Sequence, residues 1–316
     1  SIARGKPKTG AEFCAPISAL HGQIHGLLEQ TDYVFFPNYL ERKPDQSEAL
    51  RKFCYYSQYA PALVSQALES DPSLTDRILS PLVGTRFSRF HRIGELHQSL
   101  SAVPGARRTF VQISAALDRA DEFHRKRATA FKELYRANRT GPDTVDVVLL
   151  GRPYSVLAPE MNKGIPDIFA ALGVRVFYQD QIDYRREDVA KIEPLLHEVN
   201  WSYGAKTLEV AEVTARTRGL YPVFLTSFKC GPDSFIGEYV RRILDANDKP
   251  YLILELDEHD SAVGYETRIE AALRSFTNHL TATPRTSSGA YRGVSPRYTR
   301  HIERDKCLVL PNWDDY

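Results

Sequence analysis

The chain has 316 residues, of which 42% are hydrophobic and 26% are charged, and its formal net charge is +1. These values are typical of a globular protein with two or three domains, and the balanced charge argues against nucleic acid or a membrane surface as a partner. No apolar run approaches the roughly 18–20 residues of a membrane span, and the N-terminus lacks the apolar core of a signal peptide. The cysteines are widely spaced, which argues against a disulfide scaffold and favours the reducing cytoplasm: Cys14, Cys54, Cys230 and Cys307.

Residues 1–84 alternate short apolar runs with runs of helical periodicity. In chain order the predicted elements are helix 17–28, strand 33–37, helix 57–68 and strand 77–83. This alternation predicts a parallel sheet covered by helices. Because no strand signal precedes Cys14, we expect this first α/β domain to be truncated.

Residues 85–142 differ in character, because apolar residues recur at helical spacing and no strand signal appears. They predict a helical insert, which carries twelve Lys and Arg against five Asp and Glu. Two interpretations of this basic charge stay open. One is a solvated helical face with long snorkelling side chains, and the other is a docking face for an acidic partner or for ligand phosphates.

Residues 143–280 return to the alternation and predict a second α/β domain. Its predicted elements are strand 146–150, helix 165–172, strand 174–178, a helical stretch 187–218, strand 221–226, helix 233–246, strand and loop 250–260, and helix 265–280. Residues 281–316 indicate a linker and a terminal strand. The predicted fold class is therefore α/β, with two doubly wound parallel-sheet domains of the Rossmann or flavodoxin-like type and a helical insert.

Cys14, Cys54 and Cys230 each come three residues before the start of a predicted helix. The free N–H groups and the dipole of a helix N-terminus favour negative charge and lower the pKa of a thiol. Three thiolates that converge there could hold an anionic metal–sulfur cluster. The widely spaced cysteines do not favour structural zinc, which usually takes ligands in close pairs. Cys307 lies within an apolar strand, and packing is the better interpretation for it.

Two other interpretations of the cysteines stay open. Their placement before helices could be chance, and Cys230 could be a single nucleophile that pairs in space with His259. Lys229, beside Cys230, could lower the pKa of that thiol or be an ordinary surface lysine. His21 and His25 are four residues apart on one predicted helix, and a polar helix face explains them better than a metal site.

Polar residues that follow two predicted strands are candidates for catalysis. Arg152 and Tyr154 follow strand 146–150, where Arg152 could stabilise a negative cluster or a ligand carboxylate, or could instead pair with a neighbouring acidic side chain. A second group follows the strand that begins at 250 and could contact substrate or cluster: Glu258, His259 and Ser261. Capping of the next helix is the alternative for Ser261.

Five segments together resemble a known family: "GAEFCAPISALHG" (10–22), "CYYSQYAP" (54–61), "GRPYSVLAPEMNKGIPDI" (151–168), "LTSFKCGPDSF" (225–235) and "DEHDSAVGYETRIEA" (257–271). They are similar to the 2-hydroxyacyl-CoA dehydratase/benzoyl-CoA reductase superfamily, and most similar to its large members in which activase-type ATPase modules are fused to a dehydratase-like component. The resemblance implies two α/β domains with a helical insert and one 4Fe–4S cluster. It also implies that Cys14, Cys54 and Cys230 are the ligands, with the fourth iron open.

The resemblance further implies the function and the partners. We expect an iron–sulfur redox component of an ATP-dependent low-potential reductase or dehydratase system, which takes an electron from an activase and passes it to a substrate such as an acyl-CoA. The phosphate-binding pattern G-x-x-x-x-G-K-[ST] is absent, so ATP is expected on a separate activase module or subunit. A homodimer, with a second copy of the chain as partner, is a further possibility. The alternatives are a non-catalytic cluster relay, store or scaffold, and a cysteine-nucleophile transferase.

Overall fold

The computed structural model describes residues 2–42, 51–69, 71–84, 87–257 and 262–282. The described strands are β1 Val34–Phe35, β2 Asn38–Tyr39, β3 Glu41–Arg42, β4 Arg51–Lys52, β5 Ile78–Leu79, β6 Leu82–Val83, β7 Asp146–Leu150, β8 Arg175–Tyr178, β9 Leu220–Ser227 and β10 Leu252–Leu256. The described α-helices are α1 Ile2–Gly5, α2 Ala15–Leu28, α3 Tyr55–Gln58, α4 Ala60–Ala67, α5 Pro72–Thr75, α6 Arg89–Ser101, α7 Phe110–Asn138, α8 Pro153–Val156, α9 Pro159–Asn162, α10 Ile165–Ala171, α11 Glu193–Glu198, α12 Ser202–Arg216, α13 Gly231–Asp245 and α14 Ala262–Ala282. Short 3-10 helices lie at Lys6–Lys8, Gln179–Gln181 and Arg186–Ile192.

A four-stranded parallel sheet with the order β10-β9-β7-β8 forms the centre of the second half of the chain. Every residue of β7 and β9 is buried. Both strands are nearly continuous apolar runs, as expected for the middle strands of a parallel sheet that helices cover on both faces. The α/β fold class predicted from the sequence is confirmed, and this sheet has the flavodoxin-like order.

The helices cover the two faces of this sheet in separate layers. On one face, α10 and α14 pack against Leu149 and Val223 through the buried side chains of Phe169 and Phe276. On the other face, α12 and α13 pack against the sheet around Phe224. The chain therefore winds from β7 to β8 along one face and from β8 through β9 to β10 along the other, and the two directions diverge between β7 and β9.

The first half of the chain has smaller sheets than the sequence predicts. Within the described residues, β1 pairs with β5 and β2 with β6 in parallel, while β3 and β4 form an antiparallel pair that the sequence did not indicate. The predicted strand 77–83 is split between β5 and β6 at Pro81, which has no N–H for a continuous ladder. The division of the chain into domains at 84, 142 and 280 stays a prediction.

The predicted helices have more breaks and earlier starts than the pattern suggests. The helix predicted at 57–68 begins at Tyr55 and is interrupted at Tyr59 between α3 and α4. The predicted helical stretch 187–218 consists of a 3-10 helix, α11 and α12. The last helix begins at Ala262. Nearly all of the predicted linker and terminal strand at 281–316 lies outside the described residues, as does Cys307.

The insert consists of α6 and α7, and α7 is held at its two ends. Near its N-terminus Ile113 is buried, and near its C-terminus Tyr135 packs edge-on against Phe177 with ring centroids 4.9 Å apart. Between these anchors every residue from 118 to 130 is exposed. A helix that is exposed on all sides is typical of a segment that bridges structural units through solvent.

A groove of about 970 Å³ lies between α7 and the second α/β unit. We call it the α7 groove. One wall is α7 between His124 and Leu134, and the opposite wall comes from α12 and the segment between Asp180 and His197. None of the helices in the part of the chain that the structure describes combines the length and apolar character needed to span a membrane.

Lys249 is buried at the end of the sheet where the strands begin. Its Nζ donates a hydrogen bond to the Thr217 carbonyl oxygen at 2.7 Å and lies 4.3 Å from the centre of the Tyr221 ring. Burial, with the nearby cations Arg139 and Arg218, lowers the pKa of Lys249 from its ordinary 10.5 to about 7.

The free energy of unfolding should therefore depend on the protonation of Lys249. Between pH 7 and about 8.5, below the range where cysteines titrate in the unfolded chain, the unfolded chain holds the Lys249 proton and the folded chain does not, so stability should rise with pH by up to about 1.4 kcal/mol per unit. Lys249→Met should remove this rise, and the exposed-site control Lys126→Met should keep it. Urea unfolding at several pH values measures both, and an equal slope in Lys249→Met and the wild type would contradict the assignment.

Candidate functional site

Each of the three cysteines predicted to precede a helix is the N-cap residue of one. Cys14 caps α2, Cys54 caps α3 and Cys230 caps α13. In α2 and α13 the second helical residue is proline, Pro16 or Pro232. Proline has no N–H, so the N–H at the third helical position is the main backbone donor that remains for the sulfur at these two caps.

Cys230 lies at the point where the winding of the sheet reverses. It follows β9, and the loop from Gly151 follows β7, so both lie at the carboxyl ends of adjacent strands whose connections diverge. Ligands of open α/β sheets bind in the crevice at this position. Gly151 has a φ of 141°, and a Cβ there would lie 2.6 Å from the Leu225 carbonyl oxygen. Only glycine lets the loop after β7 approach β9 so closely.

Arg152 and Asp233 form a buried ion pair in this crevice. The Arg152 Nε donates to Oδ1 of Asp233 at 2.9 Å, and only 5% and 3% of the two side chains are exposed. The Arg152 Nη1 donates to the Tyr154 hydroxyl at 2.8 Å, and Tyr154 has a raised pKa, mainly because of burial. The proposed pairing of Arg152 with an acidic side chain is therefore confirmed, but the acid lies 81 residues away in sequence.

The same pair acts on the thiols of Cys14 and Cys230. Burial raises the pKa of both cysteines above its ordinary value. For Cys14 the backbone N–H of Ile17 and the charge of Arg152 oppose this rise, while Cys54 and Asp233 add to it. For Cys230 the carboxylate of Asp233 adds to the rise and Arg152 opposes it. One guanidinium thus favours the thiolate form of two cysteines that come from opposite halves of the chain.

Contacts between side chains bring the Cys14 loop to the other two. Glu12 forms an ion pair with Lys229, which has a left-handed φ of 64°. Phe13 packs edge-on against Tyr56, two residues after Cys54, with ring centroids 5.1 Å apart. The pair of Lys229 with Glu12 joins the loop of Cys230 to the loop of Cys14.

A second set of contacts joins the Cys54 loop to Arg152. Phe53 contacts the Tyr203 ring at 5.3 Å between centroids, and Tyr203 contacts the Tyr154 ring at 6.4 Å. The backbone N–H of Lys52 also donates to the Asn200 carbonyl oxygen at 2.8 Å. The loops that carry Cys14, Cys54 and Cys230 therefore surround one buried ion pair.

Within the described ranges no three His, Cys, Asp or Glu side chains are grouped as ligands of a metal ion. A single zinc ion would need donors about 2.0–2.3 Å from one point, so the structure does not favour zinc. Iron–sulfur clusters take one thiolate per iron, which lets the sulfurs lie further apart. Three N-cap thiols, two of which are acted on by a buried guanidinium, fit such a cluster in the chemistry of the donor set.

Buried polar atoms without a partner also occur around these loops. Oδ2 of Asp233 and Oγ of Ser155 have no hydrogen-bond partner in the part of the chain that the structure describes. Such atoms are rare in native proteins unless an ion, water or ligand satisfies them. Asp233 contacts both Arg152 and the Cys230 thiol, so one of the two atoms lies in the crevice.

Several sequence predictions about the site need comment. Glu258, His259 and Ser261 lie outside the described residues, so their roles stay predictions. The prediction of a polar helix face that includes His21 is wrong, since His21 is 1% exposed and stacks on Phe13 at 5.9 Å between centroids.

Sequence reasoning missed Asp233, although an acidic residue three positions after a helix-capping cysteine was a usable signal.

The comparison with known proteins identifies a family. The model of the family described as a CoA enzyme activase uncharacterised domain matches residues 1–182. This range holds Cys14, Cys54, Arg152 and Tyr154. No curated protein and no solved structure matches the chain.

Proposed function

The chain belongs to the family of CoA enzyme activase uncharacterised domains, and on that premise we propose that it is the iron–sulfur redox component of an ATP-dependent low-potential reductase or dehydratase system. The family connects the chain to CoA-enzyme activation in general. The iron–sulfur centre, the electron transfer and membership of the 2-hydroxyacyl-CoA dehydratase superfamily are parts of the proposal. The observation that carries it is the arrangement of three helix-capping thiols around the buried pair of Arg152 and Asp233.

In this proposal Cys14, Cys54 and Cys230 would hold a 4Fe–4S cluster. Such a cluster supplies one-electron transfer and an iron that is open to a substrate. The chain's own residues have separate tasks. Arg152 offsets the charge of the thiolates, the first-turn N–H groups of α2 and α13 donate toward the sulfurs, and burial of Cys14 and Cys230 excludes water.

The proposed partners follow from the same system. ATP would bind a separate activase module or subunit in the cytoplasm, and the substrate would be a small molecule such as an acyl-CoA. The rim of the site suits contact with such partners, since aromatic side chains near Cys54 and Cys230 are exposed: Tyr55, Tyr56, Tyr59, Phe228 and Phe235.

A cysteine-nucleophile transferase fits the structure less well. A nucleophilic cysteine needs a lowered pKa and access to its substrate. Cys230 is buried, and its pKa is raised by burial and by Asp233. These features suit a metal ligand, whose thiol loses its proton when the metal binds.

Anaerobic reconstitution with iron and sulfide tests the proposal. We expect about four iron and four sulfide per chain, with a visible absorption band that dithionite bleaches. Addition of substrate should then change the spin signal of the reduced protein. Failure to bind iron would overturn the proposal, while iron that does not respond to any substrate would favour the relay or storage alternative.

The basic insert should steer the activase to this chain. Arg107, Arg108 and Arg119 are exposed, lie outside the α7 groove and have no carboxylate partner among the described residues. Their reversal to Glu should slow ATP-dependent reduction about tenfold or more at low salt, because opposite charges raise association rates. The loss should shrink as salt shortens the Debye length below about 8 Å.

Two controls accompany this experiment. Reversal of the exposed Arg241 on α13 tests whether any added negative charge has the same effect. Reduction by a small chemical reductant should be unchanged in all variants. A normal rate of ATP-dependent reduction in the triple variant would mean that the insert is only a solvated face, and docking would then be sought at the rim near Tyr154.

A further inference from the structure

Gln179 carries a buried amide that the proposed function does not yet use. It is the first residue after β8, and its side chain is 0% exposed. Because β8 pairs with β7 in the central sheet, Gln179 lies at the carboxyl end of the strand beside the one that leads into Arg152. Its side chain is therefore in reach of the loop after β7.

The amide oxygen of Gln179 joins two other elements. Its Oε1 accepts one hydrogen bond from the backbone N–H of Gly151 at 3.0 Å and a second from the hydroxyl of Thr207 at 3.0 Å. Thr207 belongs to α12 and is 1% exposed. A single carboxamide oxygen thus ties the loop after β7 to a helix that covers the sheet.

The bond to Gly151 matters for Arg152, the next residue. Glycine has the widest choice of backbone conformations, so its N–H needs a fixed acceptor if the loop is to keep one of them. The Arg152 guanidinium must meet Asp233 through Nε and Tyr154 through Nη1 at the same time. A turn of the backbone at Gly151 would move the start of the Arg152 side chain and break this double contact.

The orientation of the Gln179 amide is kept at a cost. Its Nε2 is buried and has no acceptor among the described residues. Turning the amide over would place its NH2 group against the N–H of Gly151, so that two donors would face each other. A buried donor without an acceptor is costly, and an apolar side chain of the same length would avoid that cost. Such groups call for an explanation, and the acceptor for Gly151 provides one.

We infer that Gln179 is a positioning residue for Arg152. Its amide oxygen, steadied by Thr207, holds the loop after β7 in the conformation that places the guanidinium between Asp233 and Tyr154. The value of this placement for a cluster rests on the proposed function. The effect of Gln179 on Arg152 itself rests only on the contacts described above.

Hydrogen exchange of the Arg152 Nε–H tests the inference in cluster-free protein that contains isotope-labelled arginine. This N–H donates to Asp233 and exchanges with solvent only when the pair opens. Gln179→Met keeps the length of the side chain but removes the acceptor for Gly151, so NMR should show exchange about tenfold faster or more. The backbone amides of β9 should change less, because their exchange reports opening of the whole sheet.

Substitutions on α12 supply a second variant, a rescue and a matched control. Thr207→Val removes the hydroxyl without changing the shape of the side chain and should also speed the exchange, whereas Thr207→Ser should restore the wild-type rate. Thr214 is equally buried, but its hydroxyl donates to the Val210 carbonyl oxygen of its own helix at 2.6 Å. Thr214→Val should therefore leave the exchange of Arg152 unchanged relative to β9. If Gln179→Met does not fold, the substitutions of Thr207 decide the question.

The reconstituted protein gives a second readout. A guanidinium that acts on the thiolates favours the more negative, reduced form of a cluster. Gln179→Met should therefore shift the midpoint potential to a more negative value by about 59 mV, which is a tenfold change in a one-electron equilibrium. Thr214→Val should not shift it, and an unchanged potential in Gln179→Met would overturn the link to the cluster.

The exchange experiment also decides between positioning and a purely structural contact. If Gln179→Met or Thr207→Val speeds the exchange of Arg152 no more than that of the β9 amides, Gln179 only stabilises the fold and the inference is overturned. Because this exchange is measured without iron, a failure of iron loading would reject the proposed function and leave the exchange rates to decide the role of Gln179.

Discussion

Each of the single substitutions Cys14→Ala, Cys54→Ala and Cys230→Ala should reduce the iron bound after anaerobic reconstitution to about a tenth or less of the wild-type amount. The three thiols cap three separate helices, and each would supply one of the ligands. With one removed, two thiolates remain, and clusters are generally held by three or four protein ligands. The measurement is iron and sulfide per chain after gel filtration, with the visible spectrum as a second readout.

Cys307 provides the matched control. It was predicted to be a packing residue and lies outside the described residues. Cys307→Ala should therefore keep its iron. Equal loss in Cys307→Ala would indicate four protein ligands and a closed electron-transfer cluster in place of an open one.

Circular dichroism should separate loss of a ligand from loss of the fold. Cys54 is only half-buried and caps the four-residue helix α3, so Cys54→Ala should keep the secondary structure. Full iron loading of a folded Cys54→Ala variant would contradict the three-ligand assignment.

The central sheet was predictable because burial leaves a strong signal in sequence. β7 and β9 are wholly buried, and such strands consist of unbroken apolar runs bounded by turn residues. The helices that cover the sheet were predicted for the same reason. Their apolar residues recur at the spacing of one helical face.

The small sheets of the first half were less predictable. Strands of two residues carry too few side chains for a periodic pattern, and the pairing of β3 with β4 depends on contacts with the rest of the chain. Lys52, for example, bridges to Trp201. The break at Pro81, in contrast, follows from a residue that has no N–H for the ladder.

The residue types of the candidate site were predictable from the sequence, but the contacts between these residues were not. Three cysteines before helices gave the thiols, and the position after β7 gave Arg152. Asp233 was missed because it also resembles an ordinary first-turn acid. The α7 groove could not be predicted, since it exists only because the exposed middle of α7 lies away from the second α/β unit.

Replacement of Arg152 by methionine should cost about 3–5 kcal/mol of unfolding free energy, because it leaves the Asp233 carboxylate buried without its partner. Arg186→Met is the matched control, since the pair of Arg186 with Glu193 is largely exposed and should cost less than about 1 kcal/mol. Urea unfolding of the cluster-free protein at pH 7 measures both. The double variant Arg152→Met/Asp233→Leu should recover most of the loss, since an apolar pair of similar volume often replaces a buried ion pair without penalty.

If the double variant is as stable as the wild type, the ion pair of Arg152 and Asp233 does not stabilise the fold. Its effect on the pKa of the neighbouring thiols then explains its presence. Arg152 lowers the pKa of Cys14 and Cys230, whereas Asp233 raises it. Arg152→Met should therefore raise the pKa of both thiols further, and Asp233→Asn should lower it. Site-resolved alkylation by iodoacetamide, followed by mass spectrometry from pH 7 to 11, reports the two cysteines separately. Cys14, whose pKa is raised less than that of Cys230, is the one whose midpoint is read in this range.

The midpoint of each alkylation profile decides the question, and the rate alone does not. Both substitutions destabilise the fold and therefore speed the local opening that exposes a buried thiol. Faster opening raises the alkylation rate by the same factor at every pH. The midpoint follows the pKa of the thiol alone. Opposite shifts in Arg152→Met and Asp233→Asn would show that the pair sets the charge of the cysteines, while midpoints that move in the same direction, or not at all, would reduce it to a structural contact.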